Sequence, residues 1–495
     1  MRYSLAERPW IPVLTDRGMD QRGLLDVFAG DVRAIATGDP LEDAAILRLL
    51  LAIRIAAAAD NTTAPQWVGE YVDRFDLFST TAPFGQNPDM ARFVELAGAT
   101  RPLSAASYAL AGGGSTAVNQ FHTLSGVTFT PASAARLMLM RQAFSVGGIQ
   151  QFTEAILYED VPDTRVGREG KTRRQAVGSA AYGKGPLSAK TAVCTNRAFV
   201  WIDAGDLATT LDVNAAFVTD RPVGTFHFGW PDPDLAPPVT GTPGGVLDAL
   251  TWPSRSIYLV PADPVRDIMI CDGLRWPEAT TPGWKPENEA SLIPHAVFER
   301  KTKTAPFTIQ GVHTERVPWR QLLGALAAGQ PAGTVGAAAV ATTLPRGSTL
   351  RICGLGSYQA RIDGPVTGCF PVPAPGVDIA ALAALVTEAF TSHGSYFGAL
   401  AYAAGFTDRS QSAALTSRLS RYPALSTQLE SVTAAAARAE LSLEQARDAI
   451  ASLVEADNQS ALDQFRRVHP VAAGRVAARK SAQPLATSTT GKDTE

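Results

Sequence analysis

The sequence predicts an α+β fold: a large irregular mixed N-terminal domain, residues 1–373, followed by a C-terminal antiparallel four-helix bundle, residues 376–480. A length of 495 residues favours more than one domain. From about residue 75 to 373 the chain has short strand-like stretches, many Gly and Pro residues and few long helical patterns. After the segment Val372-Pro373-Ala374-Pro375-Gly376, Ala, Leu, Glu and Arg dominate and proline becomes rare. The change in composition predicts the domain boundary.

The first predicted elements are a hairpin and a buried helix. Residues 10–14 are strand-like, Asp16-Arg17-Gly18 is typical of a turn, and a second short apolar stretch runs through Leu24-Leu25. The motif Asp39-Pro40-Leu41-Glu42 indicates a helix start, with Asp39 as N-cap, Pro40 at the first position and Glu42 in a capping box. The residues that follow, to about position 59, are apolar nearly all round, which predicts burial.

The remaining chain divides into a loop-rich part and a helical part. A mixed domain with such long loops is typical of a scaffold that carries binding loops. In the C-terminal part we expect an interruption at Pro470, because proline breaks a helix interior. The polar stretch 481–495 is predicted to be a disordered tail. The predicted helical spans are 377–393, 395–404, 408–421, 423–455 and 459–480.

Motifs for catalysis and for metal or phosphate binding are incomplete in this sequence. Gly113-Gly114-Ser115-Thr116-Ala117 lacks the last glycine of a nucleophile elbow, and Gly170-Lys171-Thr172 lacks the first glycine of a phosphate-binding loop. The four cysteines form no CxxC pair, and the six histidines show no HExxH spacing. We therefore expect no catalytic residue, no metal site and no cofactor.

Bulk charge and hydropathy give only coarse expectations. A net charge of −3 does not indicate nucleic-acid binding, so any contact with DNA requires local basic patches. The N-terminus lacks the apolar segment of a secretory signal, and Arg48 and Arg54 interrupt the longest apolar run. We expect a soluble cytoplasmic protein with no membrane contact.

Two local clusters are basic. Between residues 161 and 190, seven basic residues and several glycines accompany two acidic residues, and between 461 and 480 five basic residues accompany one acidic residue. A flexible glycine-rich basic loop can follow a phosphate chain. Each cluster could equally be an ordinary solvated surface, and the sequence leaves both interpretations open. The candidate phosphate contacts are Arg165, Arg168, Lys171, Arg173, Lys184, Arg466, Arg467, Arg475 and Arg479.

A third feature is the stretch 350–362, in which two strand-like pieces flank a short polar tip. This pattern predicts a hairpin. A tip that carries Tyr358 and Gln359 could enter a DNA groove or separate two base pairs, as inserted side chains do in proteins that distort duplexes. A plain surface turn is the alternative.

The order of these pieces resembles that of the CasA family, the large subunit of the type I-E CRISPR Cascade surveillance complex. The resemblance covers nearly the whole chain, although each motif is short. It rests on Trp10-Ile11-Pro12-Val13, the capped buried helix, Phe75-Asp76-Leu77-Phe78 with Pro83-Phe84, Val118-Asn119-Gln120, Gly147-Gly148, the 350–362 hairpin and the C-terminal helices.

The resemblance implies a recognition subunit rather than an enzyme. Family members recognise the protospacer-adjacent motif (PAM) of double-stranded target DNA, mostly from the minor groove, and start R-loop formation. The implied partners are the other Cascade subunits, crRNA and the helicase-nuclease of the system. The implied site residues are Gly147 and Gly148 of a glycine loop, the wedge residues Tyr358, Gln359 and Ala360, and Val118 and Asn119 of a loop that contacts the motif region and the crRNA 5′ handle.

The chain departs from the family pattern at three places. Ala117 replaces an aromatic residue, Tyr358 replaces a frequent asparagine, and the family's lysine finger could correspond to Lys285 or to Arg275. Two other functions remain open: a stand-alone metal-dependent nuclease or hydrolase, and a structural scaffold subunit without DNA contacts.

Overall fold

A computed structural model describes most of the chain. The described residues are 1–95, 100–108, 128–144, 157–162, 172–177, 198–230, 239–277, 292–299, 308–312, 317–328, 344–358, 361–406, 422–470 and 472. The chain separates into two compact units, Met1–Val372 and Pro373–Glu495. Helices and small sheets alternate in the first unit and the described part of the second is helical, which confirms a mixed α+β architecture.

The N-terminal sheet has three strands in the order β2-β1-β3: β1 Ile11–Thr15, β2 Gly18–Arg22 and β3 Val32–Ile35. The register pairs Thr15 with Gly18, so Asp16 and Arg17 form the turn of the predicted hairpin, which is confirmed. The second apolar stretch is not part of it. β2 ends at Arg22, and Leu24 and Leu25 begin the short helix α1, Leu24–Phe28.

Helix α2, Pro40–Ala59, lies in the middle of the first unit's core, and its predicted burial is confirmed. Asp39 caps it by accepting a hydrogen bond from the backbone N–H of Leu41, at 2.8 Å. The expectation of a capping box is wrong, because Glu42 accepts a hydrogen bond from Arg136 Nε at 2.9 Å. Four helices pack on α2: α3 Ala64–Glu70, α4 Pro131–Ala143, α5 Leu207–Ala216 and α6 Val246–Thr251.

In the described residues, the rest of the first unit consists of small sheets and one further helix, α7 Pro318–Ala327. β4, β10 and β9 form one sheet, β15, β14 and β7 another, and three strand pairs are β5-β6, β8-β11 and β12-β13. Short 3₁₀ turns lie at Val72–Phe75, Pro88–Phe93 and Leu103–Ala106. The strands are β4 Arg101–Pro102, β5 Leu157–Pro162, β6 Thr172–Val177, β7 Phe199–Asp203, β8 Val239–Thr240, β9 Arg255–Leu259, β10 Asp267–Asp272, β11 Leu274–Arg275, β12 Val297–Glu299, β13 Thr308–Gln310, β14 Thr349–Tyr358 and β15 Arg361–Pro371.

The second unit contains helices α8 Ile379–Ala403, α9 Tyr422–Ala437 and α10 Leu443–Val468. α8 and α10 pack against each other, with His393 of α8 paired to Asp457 of α10. The predicted span 408–421 and the tail 481–495 lie outside the described residues, so the antiparallel four-helix arrangement stays a prediction.

Several predicted helix boundaries in this unit are wrong. α8 continues through Gly394, where two helices were expected, since a single exposed glycine weakens a helix without ending it. The single span expected at 423–455 is broken after Ala437. Ala439 adopts a positive φ of 59°, and Ser442 begins α10 with a capping box. α10 runs without a break through residue 459, where a new helix was expected, and it ends at Val468, so the expected interruption at Pro470 is confirmed.

Two properties of the described residues bear on function. None of their helices is long and apolar enough to cross a bilayer. Nor do His, Cys, Asp and Glu side chains in the described ranges gather in a group of three or more that could hold a metal ion.

Candidate nucleic-acid interface

The hairpin predicted at 350–362 is present and is longer than expected. β14 and β15 pair antiparallel from Thr349–Pro371 to Tyr358–Arg361, so the chain reverses between Tyr358 and Arg361. Gln359 and Ala360 occupy that interval and lie outside the described residues. The strand register therefore ends at Tyr358, the first of the three residues predicted to form the wedge.

The stem of this hairpin is anchored at its base by a third strand. β7 pairs only with Thr349 to Cys353 of β14, and beyond Cys353 the hairpin continues as two strands. Leu350, Ile352 and Leu355 are buried, and Cys353 Sγ lies 3.3 Å from the carbonyl oxygen of Pro40. From Cys353 to Tyr358 the strand spans about 16 Å. The hairpin is therefore buried along β14 from Ile352 as far as Gly356.

The helix that leads to the glycine loop is held at its last turn by Gln142. Gln142 Nε2 donates hydrogen bonds to the carbonyl oxygens of Arg255, at 2.8 Å, and Gly85, at 3.1 Å. Its Oε1 accepts one from the Arg255 N–H at 2.9 Å, and Ser254 Oγ donates to the Gln142 carbonyl oxygen at 2.6 Å. One side chain thus joins α4 to β9 and to the segment around Gly85.

A second contact fixes the same helix end. Tyr108 donates its hydroxyl hydrogen to the carbonyl oxygen of Phe144, at 2.8 Å, and the Arg141 guanidinium lies 4.4 Å from the centre of the Tyr108 ring. Gly147 and Gly148 follow within a few residues and lie outside the described part of the chain. The chain therefore leaves α4 toward these glycines from a fixed point.

The hairpin and α4 both contact the first turn of α2. Cys353 reaches Pro40, and Arg136 of α4 reaches Glu42. Arg136 Nη1 also donates to the carbonyl oxygen of Trp10, at 2.9 Å. Burial raises the pKa of Glu42, and the charge of Arg136 opposes that shift. From Arg136 to Ala143 the helix spans about 10 Å. The hairpin and α4 are thus both attached to the first turn of α2.

The predicted basic loop is in part a hairpin. β5 and β6 pair from Leu157–Val177 to Pro162–Thr172, so Arg173 lies in a strand opposite Val161, and Arg174 lies opposite Asp160. The flexible-loop expectation is therefore wrong for Arg173, because six successive residues on each side pair in one ladder. Arg165, Arg168 and Lys171 belong to the connection and, with Lys184, lie outside the described residues.

Of the other predicted site residues, some lie in the described part of the chain and some lie outside it. Arg466 and Arg467 are exposed in the last turn of α10, and Arg466 donates to Asp463 at 3.1 Å. Arg275 lies in β11, in register with Thr240 of β8. Lys285, Val118, Asn119, Arg475 and Arg479 lie outside the described residues. None of these predictions is tested by the described contacts.

Two buried His–Asp pairs in the described part of the chain serve packing. His227 Nε2 lies 2.9 Å from Asp248, whose other oxygen accepts the N–H groups of Thr225, Gly244 and Gly245. Burial alone would raise the pKa of Asp248, but His227 and those backbone hydrogen bonds outweigh it and lower the pKa. The second pair, His393 and Asp457, joins α8 to α10 at 2.8 Å. Both carboxylates hold backbone or helix contacts.

Sequence reasoning missed the residues that position the candidate site. The partners of Gln142 are 57 and 113 positions away, and Arg136 pairs with Glu42 across 94 positions. Local spacing carries no signal for such contacts. The one local hint was the acidic first turn of helix α2, whose other residues are mostly apolar.

Comparison with known proteins gives one family match and several similar folds. The family model for CRISPR-associated protein Cse1 matches residues 4–480. The crystal structure of Thermobifida fusca Cse1 is similar with a TM-score of 0.69 and 22% identity, covering 97% of both chains. The crystal structure of CasA from Thermus thermophilus has a TM-score of 0.67 and 20% identity, covering 97% of this chain and 100% of that one.

A chain of a structure described as a CRISPR RNA-guided surveillance complex is also similar. Its TM-score is 0.63 and its identity 18%, covering 97% of this chain and 99% of that one. At these identities the likeness establishes the fold. The comparison with curated proteins gives no match.

Proposed function

Because this chain belongs to the CRISPR-associated Cse1 family, we propose that it is the large subunit of a crRNA-guided Cascade complex that recognises a short motif in duplex DNA and begins to separate the strands. Its partners are the other Cascade subunits, crRNA, double-stranded target DNA and the helicase-nuclease, and its place is the cytoplasm. Its role is recognition, and no residue is asked to make or break a bond.

The observation that carries this proposal is the β14–β15 hairpin. Its base is buried and paired on both sides, whereas its end carries Gln359 and Ala360 between Tyr358 and Arg361. A rigid hairpin stem would let the short tip push apart two stacked base pairs of the DNA. Unstacking one step costs about a few kcal/mol, which contacts on both sides of the step can offset.

We assign motif recognition to the glycine loop that follows α4. Without side chains, Gly147 and Gly148 would allow the backbone to approach the minor-groove edges closely. The minor groove carries a degenerate pattern of donors and acceptors, so a reader on this side would accept several related motifs. The clamp at Gln142 supports this assignment, because a loop that reads groove shape must start from a fixed position.

The basic residues would supply affinity without sequence preference. Arg165, Arg168, Lys171, Arg173 and Lys184 would contact phosphates of the duplex, with Lys285 or Arg275 as the cation beside the groove. Arg466, Arg467, Arg475 and Arg479 would contact the displaced strand, and Val118 and Asn119 the crRNA handle. Once the strands part, crRNA in the neighbouring subunits would read the sequence by base pairing, in the manner of other RNA-guided effectors.

Titration of duplex DNA with the assembled complex, with and without this chain, tests the proposal. A duplex with the motif and one with a scrambled motif, at the same salt concentration, separate specific from phosphate binding. We expect discrimination only when the chain is present. Equal affinities in both assemblies would instead indicate a scaffold. Metal-dependent nicking by the purified chain would indicate a nuclease.

A substitution in the glycine loop locates the reader. Gly147→Val places a branched side chain where close approach is needed, so motif discrimination should fall while affinity for scrambled DNA is kept. Gly183→Val is the matched control in the basic segment. If only the control loses discrimination, the reading loop is the 178–185 segment.

A further inference from the structure

Arg48 lies in the middle of α2, and only 5% of its surface is exposed. Its Nη2 donates a hydrogen bond to the carbonyl oxygen of Ala249, at 2.8 Å. Within the described part of the chain its buried Nε has no hydrogen-bond partner and no carboxylate forms an ion pair with it. A buried guanidinium without an opposite charge is costly, because a charge taken from water needs a partner.

A small cavity of about 50 Å³ borders Arg48. It lies between α2, the last turn of α4 and α6, and no Asp or Glu of the described chain is among its lining residues. A cavity of this size can hold a monatomic ion or a few water molecules. The lining includes Arg48, Gln142, Ala143, His227, Thr251 and Trp252.

The other polar groups around the cavity already have partners. Gln142 binds the backbone of Arg255 and Gly85, and Thr251 Oγ donates to the carbonyl oxygen of Leu247, at 2.7 Å. His227 bonds to Asp248, whose carboxylate is engaged with three backbone N–H groups. Arg48 is therefore the lining group with an unused donor.

The charge of Arg48 also affects the pKa of the buried residue His295. His295 is buried, with 3% of its surface exposed. Burial, together with the charges of Arg221 and Arg48, lowers the pKa of His295 to about 3. Burial is the main cause of this shift, and the two positive charges add to it.

We propose that this cavity is a binding site for one small monovalent anion of the size of chloride, held by Arg48. The anion would neutralise the guanidinium and accept a hydrogen bond from Nε. It would also join α2, α4 and α6 at the turn from which the chain leaves α4. Glutamate is several times larger than chloride and is the poorer fit to a small cavity.

Thermal unfolding of the full chain in sodium chloride and in sodium glutamate at equal ionic strength tests this site. A ligand that binds only the folded state raises the unfolding midpoint in a saturable way. We expect a midpoint about 2 °C or more higher in chloride, saturating with concentration. Equal midpoints in both salts would overturn the proposal and leave water as the occupant.

Two substitutions assign the effect. Arg48→Met keeps the length of the side chain and removes its charge, so the difference between the salts should disappear. Arg54→Met, on the same helix at an exposed ion pair with Asp212, should keep it. A chloride effect that persists in Arg48→Met would refute the site. If that variant does not fold, crystals of the unmodified chain grown in bromide decide: an anomalous peak beside Arg48 Nε supports the site, and none overturns it.

Discussion

Replacement of Gln142 by alanine should destabilise the first unit more than its partial exposure suggests. The side chain makes three hydrogen bonds of 2.8 to 3.1 Å, two to carbonyl oxygens and one from an N–H group. At about 1 kcal/mol for each bond the loss is about 3 kcal/mol, and more where a backbone group is left without water. Few exposed or half-exposed positions reach this size, since most surface substitutions change stability by less than about 0.5 kcal/mol.

Urea denaturation of the purified chain measures this loss as a lower midpoint with an unchanged slope. Gln21→Ala is the matched control, because the Gln21 side chain is exposed on the edge strand β2. Gln142→Glu should be at least as damaging as Gln142→Ala, since a carboxylate cannot donate to the carbonyl oxygens of Gly85 and Arg255. A midpoint for Gln142→Ala equal to that of Gln21→Ala would refute the clamp.

Three further predictions concern the hairpin, the α2–α4 contact and the basic strand. Ile352→Ala, at a position with 1% of its surface exposed, should lower the free energy of unfolding by about 2–5 kcal/mol in urea titration; an effect no larger than that of exposed Thr367→Ala would contradict the buried base. Burial raises the pKa of Glu42 above its ordinary value of 4.5, so its contribution to stability is present below pH 4.5 and is lost as pH rises through the raised value. The stability of the unmodified chain relative to Glu42→Gln should therefore fall as pH rises above 4.5, and a rise would contradict the shift. Arg173→Glu should weaken binding of the assembled complex to all duplexes alike and lower the slope of log affinity against log salt by about 1 or more, and an unchanged slope would exclude a phosphate contact.

Local patterns predict this fold well where neighbours in sequence decide the structure. The first hairpin, the buried α2 and the 350–362 hairpin all follow from strand alternation, turn residues and helix-start signals within about 20 positions. The same rules fail at Gly394 and Ala439. Gly394 stays within a long helix, and Ala439 takes a positive φ just after α9, where the N–H of Glu440 donates to the carbonyl oxygen of Ala435, so residue type alone decides neither outcome.

The candidate site is less predictable than the fold, because contacts between distant segments position it. Glu42 fits a capping box by spacing, yet it turns to Arg136, which arrives from a helix more than 90 positions later. Gln142 has no local pattern that predicts its role. The composition around Arg173 predicts a flexible loop, but the residue lies in a paired strand. Glycine and charge content do not reveal which residues pair with a neighbouring strand.

The most direct test of the account separates duplex binding from strand opening in the assembled complex. A fluorescent base analogue beside the motif reports opening, and a filter or anisotropy assay on the same duplex reports binding. Gln359→Ala should reduce the rate and extent of opening about tenfold or more, the equivalent of about 1.4 kcal/mol, while initial affinity for the motif changes little. Loss of opening and binding in equal measure, or full opening without the glutamine, would contradict the proposed wedge.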